Sequence, residues 1–553
     1  MAYTIADLFE HAADLCGDRV ALACGEPTLT YNELDVRANR LASFFAARGV
    51  GPGDKVAVYC RNSIECVESM LAIYKLRAVV VNINYRYVAE ELRYILDNSD
   101  SVAVVCEQRY VPTLAAALTA GSAVHTVVVV PDETADDGCG VDIVSYADAL
   151  AAGSPDRLAT TRTDDDHYLL YTGGTTGMPK GVVWRQEDVF RVLGGGIDFY
   201  SGEYITDEWE IARRGRDQPA PTRLPIPPMI HAASQWGAFQ NLFAGGTVVL
   251  EPAFAPARVW QLIERHRVAI VLIAGDAIAR PLIEAYRPGE HDTSSLAVLV
   301  STAALFSESV KHKLLDAFPN TLLIDSIGSS ETGFGGMTMV SKEHHQSGGP
   351  TVSMVKTNTI LDEDGRRMTA PGSVGRIASS GHIPLEYFKD PAKSASTFVT
   401  YDGVRYSLPG DLARIEGDGS VTLLGRGSNC INSGGEKVFP EEVEGALKAH
   451  DSVFDVLVVG VDDDRLGQHV GALISARPDS TITLDGLAEV ARESLARYKL
   501  PRSIWLVDAI HRSPAGKPDY PWARKITQSV RPTESRGQFV AGAAGPATSN
   551  TGG

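Results

Sequence analysis

The stretch "DHYLLYTGGTTGMPKGV", Asp166 to Val182, runs an apolar strand pattern straight into a loop of glycines, threonines and one lysine. Such a loop offers backbone N–H groups and hydroxyls to an anion, with Lys180 as a mobile positive charge. The spacing differs from the common phosphate loop G-x-x-x-x-G-K-[ST]: Pro179 stands before the lysine and Gly181 after it. It is not G-x-G-x-x-G either. The loop therefore points to phosphate chemistry of another kind.

The chain around it alternates. "KVAVYC" reads as a strand, "SIECVESMLAIYKL" as a helix, "AVVVNI" as a buried strand, "VAEELRYILDN" as a helix and "SVAVVCE" as a strand. Upstream, Leu34, Ala38, Leu41 and Phe45 share one helical face, which ends at Gly49 and a Gly-Pro-Gly turn. "GTVVLE", "AIVLIAG", "LAVLVS" and "TLLIDS" repeat the strand theme between helices such as "ARVWQLIERH". Strands alternating with helices predict an α/β fold with doubly wound parallel sheets. Past Leu424 the composition turns to Gly, Ser and Asn, and a compact unit follows. Its expected order is helix "PEEVEGALKAH", strand "VFDVLVVGV", helix "LDGLAEVARESLARY" and strand "SIWLVDAI". The expected organisation is a large N-terminal domain over residues 1–425, a small α+β C-terminal domain over 426–530 and a disordered tail over 531–553.

A chain of 553 residues with 44% hydrophobic and 22% charged residues has the balance of a soluble globular protein, long enough for several units or a large enzyme. Its net charge of -18 argues against a nucleic-acid surface, which needs a basic stripe. The seven cysteines are scattered, with no C-x-x-C pair, which favours a reducing, cytoplasmic setting. No apolar run approaches the ~20 residues of a transmembrane helix, and the start carries no signal pattern.

The Gly/Thr loop resembles the AMP-binding signature of the adenylate-forming superfamily, which includes acyl-CoA synthetases, luciferases and peptide-synthetase adenylation domains. Further motifs follow in the family's order. "PPMIHAASQW" resembles its fourth core motif, with His231 at the aromatic or histidine position beside the acyl site. "DSIGSSETG" resembles Y-G-x-T-E, with Glu331 as the magnesium ligand, Ile327 in place of the usual aromatic and Ser330 in place of threonine. "YSLPGDLA" resembles Y-x-x-G-D, "GRGSNCINSGGEKVFPEEVE" the hinge motif and "RSPAGKPDY" the closing motif. The matches run from about Tyr31 to Lys517.

The resemblance implies ATP, Mg²⁺ and coenzyme A as reagents, and it implies site residues. Lys517, Glu331 and His231 would be catalytic. Thr172, Gly173, Gly174, Thr175, Thr176, Lys180, Asp325, Gly328, Ser329, Ser330, Asp411 and Arg426 would hold ATP, with Asp411 on the ribose. Glu331 and Thr176 would hold the metal, and Ser428 would mark the hinge. Ser433, Gly434, Gly435 and Lys437 would face coenzyme A, and Trp236, Gly237 and Phe239 would line the acyl pocket.

An amino-acid adenylating domain would carry Asp where Ala232 stands, and a serine hydrolase would need a G-x-S-x-G elbow, which is missing. The expected activity is an AMP-forming acyl-CoA synthetase. The wording of "GDAIARPL", "GSSETGFGG" and "SPAGKPDYPWA" is similar to actinobacterial synthetases acting on fatty acids or steroid side-chain acids. The expected substrate is thus a bulky hydrophobic acid. An aryl- or short-chain acid ligase, or an acyl-AMP ligase without coenzyme A, is the alternative. The resemblance also allows a homodimer.

Overall fold

The computed structural model of the chain describes residues 3–134, 143–172, 178–198, 201–304, 306–341, 350–426, 429–433, 436–463, 466–493, 495–513 and 516–536, with the backbone alone at 426, 432, 436 and 437. Gly173, Gly174, Thr175, Thr176, Ser428, Gly434 and Gly435 lie outside the described residues.

Local rules start the helices. Thr30 and Glu33 form a reciprocal capping box at the start of helix Tyr31–Ala47, and Ser63 caps helix Ile64–Lys75 through the Cys66 N–H. The predicted apolar face of the first of these, Leu34, Ala38, Leu41 and Phe45, is fully buried. Strands Val79–Asn82, Lys55–Tyr59, Ser101–Glu107, Thr126–Val130 and Val144–Ser145 lie side by side in that order, every pair parallel. Sheets buried on both faces read as continuous runs of β-branched residues, as "VVVN" and "TVVVV" do.

A second, larger sheet sets Val20–Cys24, Val248–Leu250, Arg223–Pro225, Ile270–Ile273, Val298–Ser301 and Leu322–Ser329 in parallel. Beyond Leu322–Ser329 the direction changes. Gly333–Met339, Thr351–Met354 and Val421–Arg426 continue the sheet antiparallel. This extension departs from the purely parallel expectation, and at its first step the reason is physical: parallel pairing needs a long crossover, whereas Gly333–Met339 follows Leu322–Ser329 after only three residues. Strand His167–Thr172 joins neither sheet. It forms an antiparallel hairpin with Lys180–Arg185, in which Thr172 pairs with Lys180.

The C-terminal unit has its own sheet. Val453–Asp463 and Gly467–Ala476 run antiparallel, and Ser503–Leu506 lies parallel to the second. Val443, Leu447, Val458, Ile474 and Leu487 form its core. The helix expected to reach Tyr498 ends at Ala491, and a short 3₁₀ turn follows at Arg497–Lys499, so that Leu495 and Leu500 both enter that core.

Candidate active site

One cavity of about 680 Å³ opens between the C-terminal ends of the parallel strands and the C-terminal unit. Thr172, His231, Gly328, Ser329, Ser330 and Lys517 meet around it, and Trp236, Gly237, Ile270, Leu272 and Val300 extend it inward. Residues from distant parts of the chain thus share one space.

His231 precedes helix Ala232–Phe243 as its N-cap residue. Its Nε2 has no hydrogen-bond partner among the described residues. Burial, with the Lys517 charge as a second influence, lowers its pKa from 6.5 to about 3. The ring is therefore neutral at ordinary pH. Asn82, at the end of strand Val79–Asn82, braces this corner. Its Nδ2 donates to the carbonyls of Ile230 (2.6 Å) and Tyr171 (3.0 Å), and its Oδ1 accepts from the Tyr171 N–H (2.9 Å). One amide thus ties the His231 turn to the strand that launches the Gly/Thr loop.

Lys517 comes from the C-terminal unit. The Ser513 N–H donates to the Lys517 carbonyl (2.8 Å), and the Lys517 N–H donates to Ser513 Oγ (3.2 Å), closing a tight turn. Gly516 inside it has φ +72°, and a Cβ there would come within 3.2 Å of Ala277 Cβ and 3.4 Å of the Ala274 carbonyl oxygen. Only glycine combines that backbone shape with so close a seat on the large domain. Arg512 steadies the turn: its Nη1 donates to the Gly516 carbonyl (3.1 Å), while Nε and Nη2 grip Asp455 at 2.6 and 2.8 Å. Lys448 lies between Asp276 of the large domain (3.4 Å) and Asp455 of the small unit (3.2 Å).

Glu331 is buried outside this cavity's wall, and its Oε1 accepts from the Tyr387 hydroxyl at 2.9 Å. The Lys180 ammonium lies over the same Tyr387 ring and pairs with Asp390 at 2.5 Å. Lys180 lines a smaller neighbouring cavity with Tyr94, Asn98 and Phe388. Magnesium fits Glu331: a hard cation needs one or two protein oxygens beside phosphate and water. Among the described residues no cluster of three or more His, Cys, Asp or Glu side chains forms, so an all-protein cage is not what this site offers.

Two expected residues face elsewhere. Phe239 is fully buried in the core against Tyr74, Trp236 and Phe243 rather than lining the cavity. Helix positions three or four apart share a face, and the cavity face is Ala233, Trp236, Gly237 and Gln240. Asp325 turns away from the cavity to pair with Lys311 at 2.8 Å, because strand side chains alternate and its neighbour Ser326 faces inward. Asp411 begins strand Asp411–Ile415 directly across from Arg426, so register joins two residues that the sequence assigned to the nucleotide. Neither Asp411 nor Ser433 lines the cavity. Asn82 and Arg223 escaped the sequence reading. An asparagine ending an apolar strand was a visible signal for the first; a lone arginine before "LPIPP" was none.

The model of the AMP-binding enzyme matches residues 9–386, and that of the AMP-binding enzyme C-terminal domain matches residues 442–517. The chain belongs to the AMP-binding enzyme family. A 3-oxocholest-4-en-26-oate–CoA ligase of Rhodococcus rhodochrous is 52% identical over 97% of both chains. A medium/long-chain-fatty-acid–CoA/3-oxocholest-4-en-26-oate–CoA ligase of Mycolicibacterium smegmatis is also 52% identical, over 98% of this chain and 99% of its own. Among solved structures, the anthranilate CoA ligase AuaEII with anthranoyl-AMP superposes with a TM-score of 0.82 at 22% identity, covering 96% of this chain and 98% of that one. This AMP-binding enzyme is an acid–thiol ligase of the acyl-CoA synthetase type, working with ATP, Mg²⁺ and coenzyme A. No helix among its described residues is long and apolar enough to cross a membrane.

Proposed function

We propose that the enzyme activates a bulky hydrophobic acid, a steroid side-chain acid or a medium- to long-chain fatty acid. The observation that carries this reading is the larger cavity. Lys517 and His231 stand at its reactive end, while Trp236, Ile270, Leu272 and Val300 make its inner wall apolar. The half-identical relatives, named for 3-oxocholest-4-en-26-oate and medium/long-chain fatty acids, support it.

In the first half-reaction the substrate carboxylate oxygen attacks the α-phosphorus of ATP, and the bond to pyrophosphate breaks. Two anions meet, so positive charge must converge there. Lys517 supplies it from the C-terminal unit. Neutral His231 borders the acid without adding a competing charge. Thr172 and the loop at 173–177 with Lys180 hold the leaving phosphates, while Asp411 and Arg426 hold ribose and phosphate. Lys180 must first leave Asp390, which the arriving phosphates make favourable. Mg²⁺ held by Glu331 and Thr176 would neutralise phosphate charge. In the second half-reaction the coenzyme A thiolate attacks the acyl carbonyl and AMP leaves. The small domain turns about Ser428 between the two steps, so that Ser433, Gly434, Gly435 and Lys437 meet coenzyme A. The enzyme acts in the cytoplasm as a homodimer.

The test is a pyrophosphate-release screen over acetate, benzoate, octanoate, palmitate and a C26 steroid acid, with acyl-adenylate followed by mass spectrometry. Steroid acid or the longer fatty acids should lead. A preference for acetate or benzoate would overturn the substrate assignment.

A further inference from the structure

One cation interrupts the otherwise apolar inner wall of the acyl cavity. Arg223 begins strand Arg223–Pro225, pairs in register with Ile270, and lines the cavity with Gln240 and Gly237. Its Nη1 donates to the Gly237 carbonyl (2.8 Å) and to Gln240 Oε1 (3.1 Å). Its Nε has no partner, and no carboxylate pairs with it among the described residues. Arg223 is half-buried, its open side facing the cavity, and desolvation holds the pKa of its guanidinium down to about 10 from 12.5.

This is out of character for the chain. Buried Lys75, Arg191, Arg280, Lys311 and Lys448 all have carboxylate partners within 3.4 Å. A buried cation without a counter-charge is costly unless something else completes it. The open side of Arg223 is the space an acyl group would fill. Two rulers give its depth. From Ala233 to Gln240 along the helix is about 10 Å at 1.5 Å per residue. From Arg223 to the sheet's C-terminal edge at Ile226 is also about 10 Å at 3.3 Å per residue.

We propose that Arg223, steadied by Gln240, is a specificity-determining residue that receives an acceptor oxygen, ketone or carboxylate, at the far end of the acyl substrate, roughly 10 Å from the carboxyl being activated. This rests on the synthetase reading above and narrows its substrate to hydrophobic acids that carry a distal oxygen. A site built to hydrogen-bond a substrate group discriminates strongly against the analogue lacking it, because its own polar group is then left bare.

The experiment compares kcat/KM of the full-length enzyme, by pyrophosphate release, for decanoate, the matching ω-oxo acid and decanedioate. Acids with the distal oxygen should be favoured about tenfold or more. The ω-oxo and dicarboxylate arms tell which source of oxygen the pocket fits. Arg223→Met should erase the preference and improve decanoate. Equal kcat/KM for acids with and without the oxygen in the wild-type enzyme would overturn the proposal, as would a preference surviving in folded Arg223→Met. Should that variant not fold, the wild-type preference and its reduction in Gln240→Leu decide instead. Failure to activate any acid would reject the synthetase reading itself, and the inference with it.

Discussion

Replacing Lys448 with methionine removes a buried cation that links the two domains and leaves a side chain of similar length in its place. The Lys448 side chain is 2% exposed, with its Nζ 3.4 Å from Asp276 and 3.2 Å from Asp455. Taking one member out of a buried ion pair costs about 3–5 kcal/mol when its partner is left bare. Here neither partner is left bare. Asp276 keeps Arg280 at 3.1 Å and the Ser307 N–H at 2.8 Å, and Asp455 keeps Arg512 at 2.6 Å. Only the Asp276 contact crosses between domains, so the share that holds their orientation is about 1–2 kcal/mol, or roughly 5- to 30-fold in a rate that depends on it. The present orientation puts Lys517 in the cavity, which is the arrangement we propose for the first half-reaction. Lys448→Met should therefore slow acyl-adenylate formation by that factor in single-turnover measurements, while thioester formation from preformed acyl-adenylate is unchanged or faster. A double-mutant cycle with Asp276→Asn should show a coupling of about 1–2 kcal/mol. Equal slowing of both half-reactions, or no coupling, would refute the assignment of this contact to domain orientation.

Lys517→Ala should reduce acyl-adenylate formation by about 10²–10³, the scale of losing one charge-stabilising group, and largely spare the thioester step. Equal loss in both would contradict its role. The large domain should lose stability in acid through Glu10, whose carboxyl burial pushes up but Lys75 and Arg162 outweigh, holding it at about 2 against an ordinary 4.5. The folded state thus binds this proton less tightly than the unfolded chain. Its stabilisation, about 3 kcal/mol, is complete above pH 4.5 and is lost as pH falls toward 2. Thermal melts from pH 7 to pH 3 should show the loss, and Lys75→Met, at a side chain 1% exposed, should lower the melting temperature at pH 7 and flatten that acid dependence. An unchanged melting profile in the variant would refute the reading.

What the sequence disclosed and what it hid divide along one physical line. Valine-rich runs announce buried parallel strands because both of their faces must leave water, so "VVVN" and "SVAVVCE" were readable in isolation. The motifs around His231, Gly328 to Ser330 and Lys517 were readable because each is a contiguous string, and the fold brings them to one cavity. The antiparallel strands between Gly333 and Arg426 were not, since short strands joined by turns leave little periodicity to detect. Orientation was the harder loss. Period tells which residues share a face, not which face meets the cavity, and Phe239 was assigned to the wrong one. That choice is made by long-range pairing, such as Arg223 with Ile270, which no local window contains. Arg223 is the sharpest case. An arginine in sequence reads as a surface residue, because water is ordinarily where a guanidinium is cheapest to keep. It becomes evidence about a substrate only when the fold sets it in the wall of the acyl cavity, supplies two carbonyl-type acceptors and withholds a carboxylate. The residues that reveal most about the acid are then those whose local propensity the fold overrules.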